Sequence, residues 1–169
     1  MDILGKSPIP IPMFIVGKLA FLACALFIFI RSIGVDSMLF ESAFTRQMGL
    51  IFYVGGLIIV IAALLQLGQS AAVGIPAGNT ELKTHGLYSL SRNPVYTGAF
   101  IMCIGSCLYS LHLINLFLLV LTVAIHHWII IREEVFLEQR FGRKWNDYNQ
   151  RVPRYIGRIK RGEIRGKSE

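Results

Sequence analysis

Charge is scarce in this chain. Of 169 residues only 16% are Asp, Glu, Lys or Arg and 54% are hydrophobic, against roughly 25% charged and 45–50% apolar in an average soluble domain. So few charges do not clothe a water-soluble surface, and the expected class is a membrane protein rather than a soluble enzyme. Cysteine is nearly absent as well. Cys24, Cys103 and Cys107 are three, an odd number, and all stand in apolar runs, which argues against a disulfide framework. Cys103 and Cys107 would share a helix face, but they have no His or carboxylate neighbours in sequence, so packing rather than metal binding is expected. No Gly-rich phosphate loop is present either. A chain of this length has room for one domain, 1–169, with about four spans and no separate soluble catalytic unit.

What the chain does have is long hydrophobic runs, at about 13–30, 48–67, 95–111 and 113–131. The first is broken only by Lys18, placed near its start so that the ammonium can reach the interface. Pro8-Ile9-Pro10-Ile11-Pro12 ahead of it is not the basic leader of a signal peptide, so this run is expected to stay as a span. The second carries Gly49, Gly55, Gly56 and Gly68, small residues that let helices approach closely in lipid. The third and fourth are separated by only a few residues and predict a tight helical hairpin. The expected fold is therefore all-α: a polytopic membrane helix bundle of about four transmembrane helices, ending in a C-terminal amphipathic cytoplasmic helical tail.

Orientation follows from the basic residues. From Arg132 onward there are eleven Lys or Arg against six Asp or Glu, five of the seven net positive charges of the chain. The positive side of a membrane protein faces the cytoplasm, so the tail is expected there. Four spans then return the amino terminus and the connection 69–93 to that same side. A basic juxtamembrane tail is expected to attract anionic membrane lipids, and with no nucleic-acid module in sight, nucleic acid is not an expected partner. Val135, Phe136, Phe141, Trp145 and Tyr148 interleave with charges as in an amphipathic helix continuing out of the membrane, with Gly142 marking a break.

Two polar clusters interrupt the lipid-like sequence, one at each end of the second hairpin. Thr84-His85-Gly86-Leu87-Tyr88 and Arg92-Asn93-Pro94-Val95-Tyr96-Thr97-Gly98 precede it; Arg132-Glu133-Glu134 follow it. Ionisable groups held near a bilayer are costly and mark functional sites by default. Asn93-Pro94 is a helix start: the residue before proline avoids the helical region, Asn is a favoured cap and Pro suits the first turn. Asn93 therefore caps the third span, or the first-turn N–H groups with Arg92 seat a carboxylate or phosphate; the two roles are compatible. Tyr88 and Tyr96 are either interfacial belt residues or walls of a pocket, and Gly86 and Gly98 allow close backbone approach. Glu133 and Glu134 either open a solvated tail or turn inward, where a carboxylate needs a cation. An anion seat at Arg92 and a cation seat at Glu133 suit a zwitterion such as an amino-acid moiety. His126 and His127 are expected to be satisfied by backbone or water.

The order Leu82-Lys83-Thr84-His85-Gly86-Leu87-Tyr88, Arg92-Asn93-Pro94-Val95-Tyr96, an apolar hairpin, Glu133-Glu134, Phe141-Gly142, Tyr148 and Val152-Pro153 resembles the isoprenylcysteine carboxyl methyltransferase family and its bacterial phospholipid-methyltransferase-like relatives. The resemblance covers about 79–156. It implies an integral membrane methyltransferase of a bacterial or archaeal cell membrane, both termini cytoplasmic, using S-adenosyl-L-methionine on a lipophilic small-molecule or lipid substrate: a prenylcysteine-like carboxylate, a phospholipid amine or a thiol. It further implies that Leu82 and Lys83 offer backbone contacts to the cofactor, that Gly86 and Tyr88 belong to its pocket, that Asn93, Pro94 and Tyr96 hold it, and that Glu133 takes its ammonium or ribose side. Arg92 and Glu134 are the expected catalytic residues, with Glu134, Tyr96 or His85 as proton acceptor if the methyl goes to an amine. The eukaryotic members carry His in place of Asn93 and an Arg near Ile129, where this chain is apolar, which leaves the acceptor open. The alternatives are a membrane reductase-like protein with a nicotinamide cofactor and a noncatalytic membrane-docking protein.

Overall fold

The computed structural model describes residues 10–33, 42–68 and 81–156. The basic residues from Arg158 onward, expected to meet anionic lipid, and residues 79 and 80 of the expected cofactor core lie outside the described residues. Among the described residues five α-helices follow in chain order: α1 Ile11–Leu26, continued by a 3₁₀ segment Phe27–Ile33, then α2 Ala43–Leu67, α3 Pro94–Ser110, α4 Leu113–Phe141 and α5 Arg143–Arg151, with a short 3₁₀ turn Gly86–Ser89 ahead of α3. Among the described residues there is no strand.

Length and composition make Ile11–Ile30, Ala43–Leu67 and Leu113–Phe141 able to cross a membrane, whereas α3, at 17 residues, is a shorter apolar helix. At 1.5 Å per residue α3 reaches about 25 Å, a little under the ~30 Å hydrocarbon core, so it is shorter than the fourth span expected from the sequence. At 29 residues, α4 is longer than the core needs. From Arg132 on its sequence turns charged, with Arg132, Glu133, Glu134, Glu138 and Arg140.

Helix ends follow local chemistry. Pro12 and Pro94 sit in the first turns of α1 and α3, where a missing N–H costs nothing. Gly142 stops α4 with φ +50°, a backbone region that L side chains rarely adopt, and α5 restarts at once. Between α3 and α4 only Leu111 and His112 remain to reverse the chain. Leu111 takes φ +43°, uncommon for a residue with a side chain, and His112 Nδ1 caps α4 by accepting from Ile114 N at 3.1 Å.

The bundle runs up and down. α2 and α3 are antiparallel and meet backbone to backbone through two glycine pairs: a Cβ on Gly56 would stand 2.6 Å from Gly98 O, and one on Gly49 2.8 Å from Gly105 O. Both pairs repeat at seven residues, two turns, so they lie on one stripe. Gly55 faces open space, and so does Gly68; of the four glycines read as approach points, only Gly49 and Gly56 serve as such. α1 lies antiparallel on α4, with Gly17 against Ile125 and Ile129, and Met13, Phe14, Tyr96 and Trp128 closing round that pair.

One end of the bundle is a neutral polar knot. Asn115, fully buried, donates through Nδ2 to Ser106 Oγ (3.1 Å) and Ser110 Oγ (2.9 Å), and Ser106 donates on to Cys24 O (2.7 Å), joining α1, α3 and α4. Cys24 and Cys103 are buried in the same packing. The opposite end, where α3 begins and α4 ends, carries the ionisable residues Arg92, Glu133, Glu134 and Arg154.

Candidate functional site

Three pieces of chain converge at the start of α3: the loop 81–93, the end of α4, and the strap 152–156 that returns after α5. Sequence dictates the return. α5 is polar except for one face, and Trp145, Tyr148 and Val152 on that face form a buried cluster with Leu82, Leu137 and Phe141. Once α5 is seated there, Tyr148 Oη donates to Tyr88 O (2.6 Å), Arg92 N donates to Pro153 O (2.9 Å) and Ser91 Oγ to Arg154 O (3.1 Å). The loop is pinned from the α2 side too: Gly86, at φ +62°, turns the chain so that Leu87 N donates to Gln66 Oε1 at 2.8 Å, where any Cβ on Gly86 would strike that side chain.

Glu134 is the hub of a first charged group. It is buried, and Arg154 grips it with Nε at 3.1 Å from both oxygens and Nη2 at 2.8 Å from Oε2. Arg92 Nη2 stands 3.6 Å from Oε1, with only 8% of its side chain exposed, and Asn93 Nδ2 donates to the same oxygen at 3.2 Å. Arg92 also donates to Asn149 and lies over the Trp145 ring, 5.6 Å from its centroid. Burial pulls the Arg92 guanidinium below its ordinary value while Glu134 pushes back, and the hydrogen bonds that Arg154 donates to Glu134 raise Arg154. Tyr88, buried beside them, is pushed up to about 12 by burial and stays a neutral phenol.

Asn93 occupies the cap position of α3, but its side chain does not cap. It reaches Glu134 and Arg154 O (3.3 Å) instead, while Thr97 Oγ1 donates to Asn93 O at 3.0 Å. The Glu134 carboxylate on α4 fixes the orientation of the amide through Nδ2, because a hydrogen bond to a charged partner is roughly twice as strong as a neutral one.

Glu133 and Glu134, adjacent in sequence, project about 100° apart on α4 and so serve different groups. Glu133 accepts from Tyr96 Oη at 3.1 Å. Around this pair stand Lys18 of α1, its Nζ 5.5 Å from the Tyr96 ring centroid and 5.2 Å from that of Phe14, and His126, whose ring is 5.6 Å from Tyr96. His126 Nδ1 donates to Thr122 O (2.8 Å), and His127 Nδ1 pairs with Tyr155 Oη (2.7 Å).

The structure thus brings Arg92, Asn93 and Glu134 together, and Tyr96 with Glu133 beside them. Pro94 is buried in the first turn of α3, and Leu82 is drawn into the Trp145 cluster. Lys83 is half-buried in the irregular segment before the turn, and His85 is exposed at its head. Sequence reasoning missed Arg154, Asn149, Gln66 and Tyr155, and it read Lys18 as an interfacial anchor only. A lone cation within an apolar run was the available signal for Lys18. Arg154 had one too: it follows Val152-Pro153, already part of the motif. Among the described residues no group of three or more His, Cys, Asp or Glu side chains converges as a metal site would.

Comparison with known proteins adds an independent line. The family model described as phospholipid methyltransferase matches residues 44–144, from the start of α2 into α5. Two curated proteins, each named probable protein-S-isoprenylcysteine O-methyltransferase, from Oryza sativa subsp. indica and subsp. japonica, are 32% identical over 119 residues, covering 66% of this chain. The chain spans 61% of the length of those relatives. No solved structure matches.

Proposed function

The chain belongs to the phospholipid methyltransferase family, and on that premise we propose that it transfers a methyl group from S-adenosyl-L-methionine to a lipophilic acceptor at the cytoplasmic face of a bacterial or archaeal cell membrane, both termini on that side. That it is an integral membrane protein rests on its spanning helices and its family. The observation that carries the functional reading is the closure of the start of α3 onto the end of α4, Asn93 on Glu134 and Tyr96 on Glu133.

The residues present fit such a donor. Its amino-acid end carries a carboxylate and an ammonium. Arg92 Nε is buried with no hydrogen-bond partner, a donor lacking an acceptor beside the first turn of α3, and an orphaned buried donor of this kind has a cost of about 1–3 kcal/mol unless a ligand answers it. Glu133, which accepts the hydrogen bond of Tyr96, supplies the opposite charge. Arg92 then takes the carboxylate, Glu133 the ammonium or ribose, Leu82 and Lys83 lend backbone groups, Gly86 lets the loop approach, Tyr88 forms a wall, and Asn93, Pro94 and Tyr96 hold the first turn in place.

When bound, the donor supplies a sulfonium methyl group that is already activated. The protein's share is then orientation and the exclusion of water, effects that together reach roughly 7–11 kcal/mol of barrier. Glu134, engaged by Arg154, Arg92 and Asn93, acts by anchoring Arg92 and Asn93 rather than as a free base. A carboxylate or thiolate acceptor asks for no base and suits this arrangement.

Calorimetry with S-adenosylhomocysteine tests the reading. Wild-type protein in detergent is expected to bind it, and Glu133→Ala to abolish that binding while leaving the helical signal and melting temperature close to wild type. Absence of heat and of thermal shift with folded wild type would remove the methyltransferase reading in favour of the reductase-like or noncatalytic alternatives. Incubating membranes with methyl-labelled donor and asking whether label enters lipid, protein or a small product then identifies the acceptor class.

A further inference from the structure

Among the described histidines only His126 is buried, at 3% exposure, and it stands midway along a helix long and apolar enough to cross a membrane. An ionisable side chain in such a place marks a functional site by default. Its ring is held on several sides. Nδ1 pairs with Thr122 O at 2.8 Å. A carbonyl only accepts, so Nδ1 carries the proton and the neutral ring keeps its lone pair on Nε2. The Cε1 edge faces Gly17 of α1, where a Cβ would come to 3.4 Å. Phe21 of α1 and Phe100 of α3 stand edge-on, with ring centroids at 6.2 and 6.4 Å, and Tyr96 lies tilted at 5.6 Å.

Nε2 has no hydrogen-bond partner among the described residues. The fully enclosed side-chain atoms in that condition are Arg92 Nε, Asn115 Oδ1 and Thr122 Oγ1; Nε2 is not one of them, so it borders open space. The neighbouring groups are otherwise engaged. Glu134 is gripped by Arg154, and His127 pairs with Tyr155. Glu133, two turns after His126 on the same face of α4, accepts from Tyr96 and is coupled electrostatically to Lys18, whose ammonium stands 5.5 Å from the Tyr96 ring centroid. An oriented imidazole with an unengaged lone pair, one ring away from the candidate donor seat, is the arrangement that proton abstraction asks for.

Building on the methyltransferase reading, we propose that His126 is the general base for the acceptor, its Nε2 taking the proton of a lipophilic thiol as the thiol sulfur bonds to the transferred methyl group. The S–H bond breaks with its electron pair on the acceptor sulfur, and a pair on that sulfur forms the new S–C bond. The electrons of the broken S–C bond cancel the positive charge of the donor sulfur, and the same charge reappears on His126 as an imidazolium, which then releases its proton to water. A carboxylate acceptor would leave this base without a task. An alkylamine, with a reference pKa of about 10.4, arrives as a second cation beside Lys18, whereas a thiol, at about 8.5, arrives neutral with its proton in place.

Nuclear magnetic resonance of the histidine ring nitrogens tests this without turnover. The purified chain, isotope-labelled at its four histidines, is titrated in a nonionic detergent with dodecanethiol, with dodecyl methyl sulfide, which lacks the proton, and with dodecylamine; the signals missing in His126→Asn are those of His126. Before titration His126 is expected as the Nδ1–H tautomer with a bare Nε2. Dodecanethiol is expected to move the Nε2 resonance to that of a hydrogen-bonded nitrogen, and the sulfide to leave it in place. His126→Gln keeps an acceptor oxygen but no base: dodecanethiol still binds, S-adenosylhomocysteine affinity is unchanged, and methyl transfer to the thiol falls about 10²–10⁴-fold. An Nε2 resonance that ignores dodecanethiol, or answers the sulfide equally, overturns the proposal without recourse to any variant. A response to dodecylamine alone overturns the thiol in favour of an amine. Transfer at the wild-type rate in His126→Gln overturns the base, and loss of S-adenosylhomocysteine affinity in that variant with an unchanged melting temperature moves His126 to the donor. Wild type that ignores S-adenosylhomocysteine yet shows the thiol response at Nε2 removes the methyltransferase reading and leaves a thiol seat standing.

Discussion

At the Asn115 end of the bundle the polar atoms are neutral, turned inward and shared among three helices, with Asn115, Ser106 and Ser110 all buried. At the Asn93 end they are charged and partly open: Arg154 leaves 35% of its side chain exposed and Lys18 lies at the surface. Both ends join α3 to α4, yet they solve different problems. A neutral hydrogen bond between helices in lipid holds them together at little desolvation cost, about 0.6–2 kcal/mol each. Charges cost far more to keep near a bilayer and persist where a ligand or a reaction uses them. The Asn115 end is therefore a clasp, and the Asn93 end the candidate site.

Breaking the Glu134 hub should have the largest effect. Glu134→Ala strands Arg92, which is nearly buried, and frees Arg154; the loss of stability is expected to be on the order of 3 kcal/mol, with S-adenosylhomocysteine binding and methyl transfer both lost. Calorimetry and a melting curve on the same sample separate the two effects. Retention of full affinity would mean that Arg92 needs no anchor.

Asn115→Leu sharpens the contrast from the other end. It removes two hydrogen bonds and leaves Ser106 and Ser110 to re-pair, so a loss of about 1–2 kcal/mol is expected in thermal or denaturant unfolding, with S-adenosylhomocysteine affinity unchanged. A fall in affinity comparable to that in the Glu134 variant would show that the two ends are coupled and that the comparison fails.

Arg154→Ala is expected to be milder than loss of its partner. Its side chain is a third exposed and the ion pair is screened, so the stability change is about 1 kcal/mol or less. Arg92 and Asn93 still hold Glu134, and S-adenosylhomocysteine affinity should drop only severalfold. Smallest of all is Ser110→Ala, which deletes one of the two hydroxyls that Asn115 contacts: about 0.5–1 kcal/mol in stability and no change in binding.

Much of the site was legible from local features, and specific residues show where legibility stopped. Asn93-Pro94 announced a helix start, and α3 does begin at Pro94; yet the inference that Asn caps did not survive, because Glu134 lies within reach of its amide. For Glu133 and Glu134 a solvated tail and an inward turn were both open; Glu134 is buried and Glu133 half-buried. Which of them meets Arg92 depends on the rotational phase of α4 against α3, and no residue pattern encodes that phase by itself. Lys18 and Arg154 stand 75 and 61 positions from Asn93, so their roles needed the helices to be assembled first. The approach of α2 to α3 through Gly49 and Gly56 was readable as a tendency, while Gly98 and Gly105 as the answering pair were not.

By itself the sequence determined the membrane class, the helices, their hairpin, the break at Gly142 and the presence of two ionisable clusters, because hydropathy, proline, glycine and charge act over a few residues at a time. Only the tertiary structure decided that Glu134 would be an anchored hub, that Glu133 would face Tyr96, and that a lysine from the first helix would stand beside them. Those outcomes depend on angles and distances between distant segments, which are settled when α1 docks on α4 and the Trp145 cluster draws the chain back over the start of α3.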